Sequence, residues 1–298
     1  MEDTCRFGKL GRVENVNEPL ADETLANPPL TQPPVYIAAP GNPPWNTPIA
    51  VIMWLLSVAA IVLIPMLFLL PYLISQGPAF SENEALAEFL RQDPTAIILQ
   101  IAAVIPAHIL TLALAWVVVT KLNKFSFRDT LGWRSGGMTW WHYLAIIGAF
   151  FAIAAVVGVY VPDQDNDLIR ILRSSRSAVF LVAFMATFTA PIVEEVIYRG
   201  ILYSAFQRTF GVGVAIVAVT LLFALVHVPQ YYPSYSTISL LLLLSLILTL
   251  VRVRTGNLWP CIVLHTIFNA TQSALLIIEP YVRSVEPVID PVTSTILK

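Results

Sequence analysis

After a polar opening of about 47 residues, the chain alternates long apolar stretches with short polar breaks. Seven stretches approach or exceed the roughly 20 residues a helix needs to cross a hydrocarbon core about 30 Å thick. They cover about 49–75, 95–120, 139–161, 178–206, 211–230, 236–252 and 257–278. Runs such as LLLLSLILTL do not alternate, so the segments read as helices and not as barrel strands. The expected fold is all-α, a polytopic transmembrane bundle of seven to eight spans. Its expected divisions are a disordered proline-rich tail (1–47), one bundle domain (48–280) and a short C-terminal tail (281–298).

Composition agrees with this pattern. Of 298 residues 57% are hydrophobic and only 12% charged, with a mean hydropathy of +0.73; soluble domains carry about 25% charged residues. A net charge of −2 provides no basic footprint for nucleic acid. Cys5 and Cys261 form neither a disulfide framework nor a metal motif. The opening Met1, Glu2, Asp3 and the polar residues after it do not have the order of a secretory signal. Pro28, Pro29, Pro33, Pro34, Pro40, Pro43 and Pro44 favour extended, solvated backbone in the tail. Pro65 and Pro71 fall in or near the end of the first span, where a membrane helix tolerates a kink. No internal repeat is evident, which argues against a paired-half transporter.

Loop charges orient the chain. Lys121, Lys124, Arg128 and Arg134 follow span two, whereas Glu82, Glu84, Glu88 and Asp93 precede it against Arg91. The positive-inside rule places the first group in the cytoplasm, with the N-terminus inside and, for seven spans, the C-terminus outside. Arg199, Arg208, Arg252 and Arg254 fall near the same face; Arg170, Arg173 and Arg176 fall on the other. A plasma (cell) membrane location is expected.

Ionisable groups inside a membrane cost roughly 2.5–3.5 kcal/mol each on insertion scales. Span four nevertheless holds Glu194, Glu195 and Arg199 within APIVEEVIYRG. Glu195 and Arg199 stand one turn apart in the favoured order for an ion pair. Glu194 is about 100° around the helix and is the better general base. Phe223 and His227 are one turn apart in LLFALVHVP, as are His265 and Asn269 in LHTIFNA. A lone histidine in an apolar helix is usually a packed core residue. Six such polar groups in three of the last four spans point instead to one shared cavity. Two chemistries suit them: carboxylate and histidine activating water while histidine and asparagine donate to an oxyanion, or Glu and two His holding Zn²⁺. The local zinc signature of two histidines around a glutamate is absent, which favours the metal-free version with no cofactor.

EEVIYR, FALVH and HTIFN resemble the three signature motifs of the CAAX endopeptidase and bacteriocin-processing family, also called the abortive-infection family. The resemblance covers about 120–275 and includes FSFRDTLGW before span three. It implies a bundle of about eight helices, no covalent acyl-enzyme, and peptide-bond cleavage in or beside the membrane. On matching positions it makes Glu194 and His227 the water activators and His265 and Asn269 the oxyanion donors, with Glu195 and Arg199 as support, alongside Phe223 on the face of His227. The implied partners are a peptide or lipidated protein substrate and membrane lipids. Members either trim prenylated carboxyl termini or serve peptide maturation or bacteriocin immunity. The rival readings are a non-catalytic scaffold or self-immunity protein, and a small transporter or proton relay.

If each helix began at its predicted boundary, Glu194 would lie toward the cytoplasm and His227 toward the opposite side. Remaining features carry less. DQDND at 163–167 lacks the glycine and bidentate glutamate of a calcium loop, with Leu168 and Ser174 in their places. The sequon Asn269, Ala270, Thr271 lies inside a span. His108 and His142 match no motif, and His142 beside Trp140 and Trp141 suits an interfacial belt.

Overall fold

The computed structural model describes residues 36–76, 83–162, 164, 166, 169, 171, 172 and 175–283. The disordered-tail expectation for residues 1–35, much of DQDND and the C-terminal tail from 284 lie outside the described residues.

Among the described residues no strand is named, and seven helices are long and apolar enough to cross a membrane. They are α1 (Thr47–Ser75), α3 (Pro94–Thr120), α5 (Trp140–Tyr160), α6 (Arg176–Phe210), α7 (Val212–Tyr231), α8 (Tyr235–Thr255) and α9 (Trp259–Arg283). The chain is a multi-pass integral membrane protein. Short helices between spans include α2 (Asn83–Gln92) and α4 (Phe127–Leu131). The acidic stretch before span two is therefore partly helical, and Asp93 caps α3 by accepting from the Ala96 N–H at 2.8 Å. α1 continues through Pro65 and Pro71 to Ser75.

Burial separates inner helices from outer ones. In α6 and α8, 33% and 39% of the most apolar window is enclosed by protein, against 6% in α5. α5 is peripheral, and Leu63, Leu67, Phe180, Val217 and Leu225 on other spans also point outward, as a lipid-facing surface requires. One buried cluster wraps Val196–Phe206 of α6 with Met53, Val119, Val219, Phe223 and Leu258. A second joins Phe150 of α5 to Leu244 and Leu248 of α8 and Leu264 and Phe268 of α9.

The end of the proline-rich stretch is not loose. Trp45 is buried, and its indole N–H donates to the Ile201 carbonyl at 3.1 Å. Arg208 donates to the carbonyls of Pro43 and Trp45, and Gln207 to that of Pro40. Prolines leave their own carbonyls free while donating nothing, so a segment rich in them is held here by donors from α6.

FSFRDTLGW docks in a defined way. Ser126 caps α4, whose end is closed by Gly132 at φ +67° with the Trp133 N–H donating to the Arg128 carbonyl. The Asp129 carboxyl, which lies outside the spans, is held below the usual carboxylate range by hydrogen bonds from Ser126 and Arg134. Leu258 N–H donates to the Gly132 carbonyl, and Asn257 bonds the Arg134 backbone. The lead-in thus pins the α8–α9 turn, from which α9 carries His265 inward. Arg199 and Arg252 are buried within the protein, and Arg252 donates to the Gly256 carbonyl at the α8–α9 turn.

Candidate active site

α6 departs from regular α geometry on both sides of the glutamate pair. Met185–Thr189 and Val196–Leu202 are π-helical, bracketing Ala190–Glu195. Such segments rotate side chains out of the α register and are common at functional sites. Here Tyr198, Arg199 and the two glutamates all point into the protein.

Glu195 and Arg199 form an ion pair at 2.9 Å with neither side chain exposed. The guanidinium also donates to the Ser245 carbonyl (2.8 Å), Ser245 Oγ (2.9 Å) and Thr249 Oγ1 (3.4 Å) of α8. Its carbon stands 4.8 Å from the Phe223 ring centre, a cation–π contact. Gly200 permits the close packing beside this pair: a Cβ there would meet Leu131 at 3.0 Å. Glu195 Oε1 also accepts from His265 Nδ1 at 2.8 Å. The pair is sealed, whereas the Glu194 side chain keeps 22% of its surface and opens into a cavity.

That cavity has a volume of about 430 Å³. Glu194, His227, His265 and Asn269, identified from sequence as one constellation, all line it, as does Phe223. So do Tyr198, within EEVIYR but assigned no role from sequence, and His108, which lies in no motif. Val58, Ile61, Val104, Val182 and Leu241 make much of the rest apolar.

All three histidines lining it are tied at the same ring nitrogen. His227 Nδ1 donates to the Phe223 carbonyl at 2.7 Å, which accepts only. His265 Nδ1 donates to Glu195. His108 Nδ1 lies 2.9 Å from Thr189 Oγ1, and that hydroxyl also lies 3.2 Å from the Met185 carbonyl; with its proton on the carbonyl, the histidine is the donor. The neutral rings of His227 and His265 therefore carry the proton on Nδ1 and leave Nε2 as an acceptor, and His108 does the same when Thr189 donates to Met185. His265 Nε2 stands 3.7 Å from Glu194 Oε2, too far for a direct hydrogen bond. Asn269 donates one amide N–H to the Ala186 carbonyl at 2.8 Å, which orients the group and leaves its second N–H. The Tyr198 hydroxyl accepts from the Trp54 indole at 3.1 Å, leaving its own proton for the cavity.

The depth conflict between Glu194 and His227 does not arise. Glu194 lies 17 residues before the Gly211 turn and His227 lies 16 after it. At a rise of 1.5 Å both are roughly 25 Å from that turn, so an antiparallel hairpin sets them level. Asn269 of the sequon is engaged inside the bundle, and His142 is exposed with its Nδ1 2.7 Å from Thr139 Oγ1. Among the described residues no three His, Cys, Asp or Glu side chains are grouped to hold a metal ion.

Compared with known families, residues 176–271 match the model described as type II CAAX prenyl endopeptidase Rce1-like. The match begins with α6 and ends two residues beyond Asn269, so it contains every glutamate, histidine and asparagine of the motifs. No curated protein and no solved structure matches the chain.

Proposed function

We propose, from the premise that residues 176–271 are a domain of the Rce1-like type II CAAX prenyl endopeptidase family, that this chain is an intramembrane endopeptidase whose nucleophile is water. The observation that carries the reading is the convergence of an accessible Glu194, three Nδ1-tethered histidines and an oriented Asn269 on one largely apolar cavity.

In this mechanism Glu194 and the bare Nε2 of His227 hold a water and take its proton as its oxygen bonds to the scissile carbonyl carbon. The oxyanion accepts from the free N–H of Asn269 and from His265 Nε2. Because Glu195 holds one proton of His265 at Nδ1, donation from Nε2 uses the doubly protonated ring, which stands between Glu194 and Glu195. The C–N bond then breaks, and the proton held by Glu194 passes to the leaving nitrogen. No covalent acyl-enzyme forms. Glu195, Arg199 and Phe223 act by holding His265 and His227 in place.

The substrate is a prenylated or otherwise hydrophobic peptide reaching the cavity laterally between helices, since the cavity wall is mainly apolar and the protein sits in the bilayer. The N-terminus is cytoplasmic and the membrane is the plasma membrane; in support, the 121–134 loop and the α8–α9 turn bring Lys121, Lys124, Arg128, Arg134 and Arg254 to one end of the bundle.

The test is cleavage of a library of prenylated and unmodified peptides by purified protein, followed by mass spectrometry, with Glu194→Gln and His227→Ala as variants. Wild-type cleavage lost in two folded variants supports the reading. Equal cleavage by the variants, or none by intact wild type, overturns it in favour of a scaffold or self-immunity role.

A further inference from the structure

Resting on the peptidase reading, we propose that His108 is a substrate-positioning residue, its Nε2 accepting a hydrogen bond from a backbone N–H of the bound peptide. His108 belongs to α3, outside the 176–271 segment and outside every motif, yet it lines the cavity opposite the glutamate helix. It is 4% exposed, so its imidazole is fixed by packing. Its Nδ1 is spent on Thr189, at the end of the first π segment of α6. That bond sets the ring plane and, with Thr189 donating to the Met185 carbonyl, the tautomer that leaves an unprotonated nitrogen on the wall of a largely apolar chamber.

A peptide backbone entering such a chamber brings donors as well as acceptors. Its scissile carbonyl is provided for by Asn269 and His265, and the attacking water by Glu194 and His227. Its N–H groups need acceptors as well, because an amide proton left unpaired in an apolar site is unfavourable. Gln230 lines the same cavity but is an exposed side chain. Ser57, Tyr231 and Asn269 also bring oxygens to the lining; His108 is the buried ring held in place by a bond to the glutamate helix. The consequence is a specificity rule: one position near the scissile bond must carry a secondary amide, so proline or an N-methyl residue is rejected there.

Two substitutions separate this role from a structural one. Gln places an amide atom near the position of Nε2, whereas Asn places one near Nδ1 and keeps the Thr189 contact. His108→Asn is expected to raise KM about five- to tenfold with kcat changed less than about twofold, the signature of lost uniform binding. His108→Gln is expected to stay within about threefold of wild type in both constants. The substrate is whichever library peptide wild type cleaves, N-methylated one amide at a time. One methyl is expected to raise the wild-type KM by the same factor as His108→Asn, and to add nothing in that variant. Wild-type constants for His108→Asn, a larger loss for His108→Gln than for His108→Asn, or N-methyl effects that persist unchanged in the variant would overturn the proposal. Failure of wild type to cleave any peptide would bring down the peptidase reading itself, a result distinct from cleavage that ignores His108.

Discussion

Replacing Arg199 by Met tests whether Glu195 is buried as a carboxylate. The guanidinium is fully enclosed and makes polar contacts to Glu195, to two atoms of Ser245 and to Thr249, besides its contact with Phe223. Met fills similar volume and makes none of the polar contacts. The variant is left with a carboxylate that has neither oxygen exposed and is held by His265 alone, and whose Oε2 already has no hydrogen-bond partner. Removing one member of a buried ion pair costs about 3–5 kcal/mol, whereas removing both is often close to neutral. Arg199→Met should therefore lower the folding constant by roughly 10²- to 10⁴-fold. Glu195→Gln combined with Arg199→Met should recover more than half of that loss. Arg199→Lys, which keeps the charge but not the planar fork, should fall between. Unfolding in detergent, titrated with denaturant and followed by tryptophan fluorescence, measures all three. An Arg199→Met protein within about 0.5 kcal/mol of wild type, or a double variant no more stable than that single one, would show that no charge is stranded and would refute the argument.

The geometry sets three further outcomes. Gly132→Ala should destabilise by about 1–3 kcal/mol because φ is +67° and the new Cβ would stand 2.7 Å from the Gly256 carbonyl oxygen; Gly136→Ala, also at positive φ but with nothing within 4 Å, should cost less in the same unfolding assay. Trp45→Phe should cost about 0.5–1.5 kcal/mol, since it removes the buried hydrogen bond to the Ile201 carbonyl while keeping an aromatic ring, and thermal unfolding in detergent reads this directly. Peptide cleavage should survive exhaustive treatment with a zinc chelator; loss of activity restored by added zinc would replace the water-activation scheme with a metal-bound one.

The spans were legible because nothing but length and apolarity is needed to specify a membrane helix. The predicted 178–206 and the observed Arg176–Phe210 differ only at their ends, where polar residues such as Gln207 and Arg208 continue the helix by bonding Pro40, Pro43 and Trp45. The one-turn spacing of Glu195 with Arg199 and of Phe223 with His227 was also legible, and both contacts exist. His108 was not, because it stands alone in an apolar helix and its partner Thr189 is 81 residues away. The docking of Pro40–Trp45 was hidden for a related reason: a proline count reports what a segment cannot donate, and says nothing of donors elsewhere that its carbonyls can accept. Depth was recoverable by measuring from the Gly211 turn, whereas measuring from each helix's own start obscured it.

The two π segments tie these observations together. Because Met185–Thr189 and Val196–Leu202 are π-helical, side-chain directions along residues 185 to 202 depart from a uniform 100° per residue. Each π segment adds a residue to the turn and shifts the register of the residues beyond it. The first directs Thr189 to His108 and frees the Ala186 carbonyl for Asn269. The second directs Arg199 to Ser245 and Tyr198 to Trp54, and leaves Ile201 for Trp45. Each of these groups has its partner on another helix, so the irregular backbone of α6 is sustained by side chains from α1, α3, α8 and α9 and from the segment before α1. Holding Glu194 in the cavity is thus a property of the whole bundle, which is why polar residues far apart in sequence, and outside the motif-bearing third of the chain, converge on it.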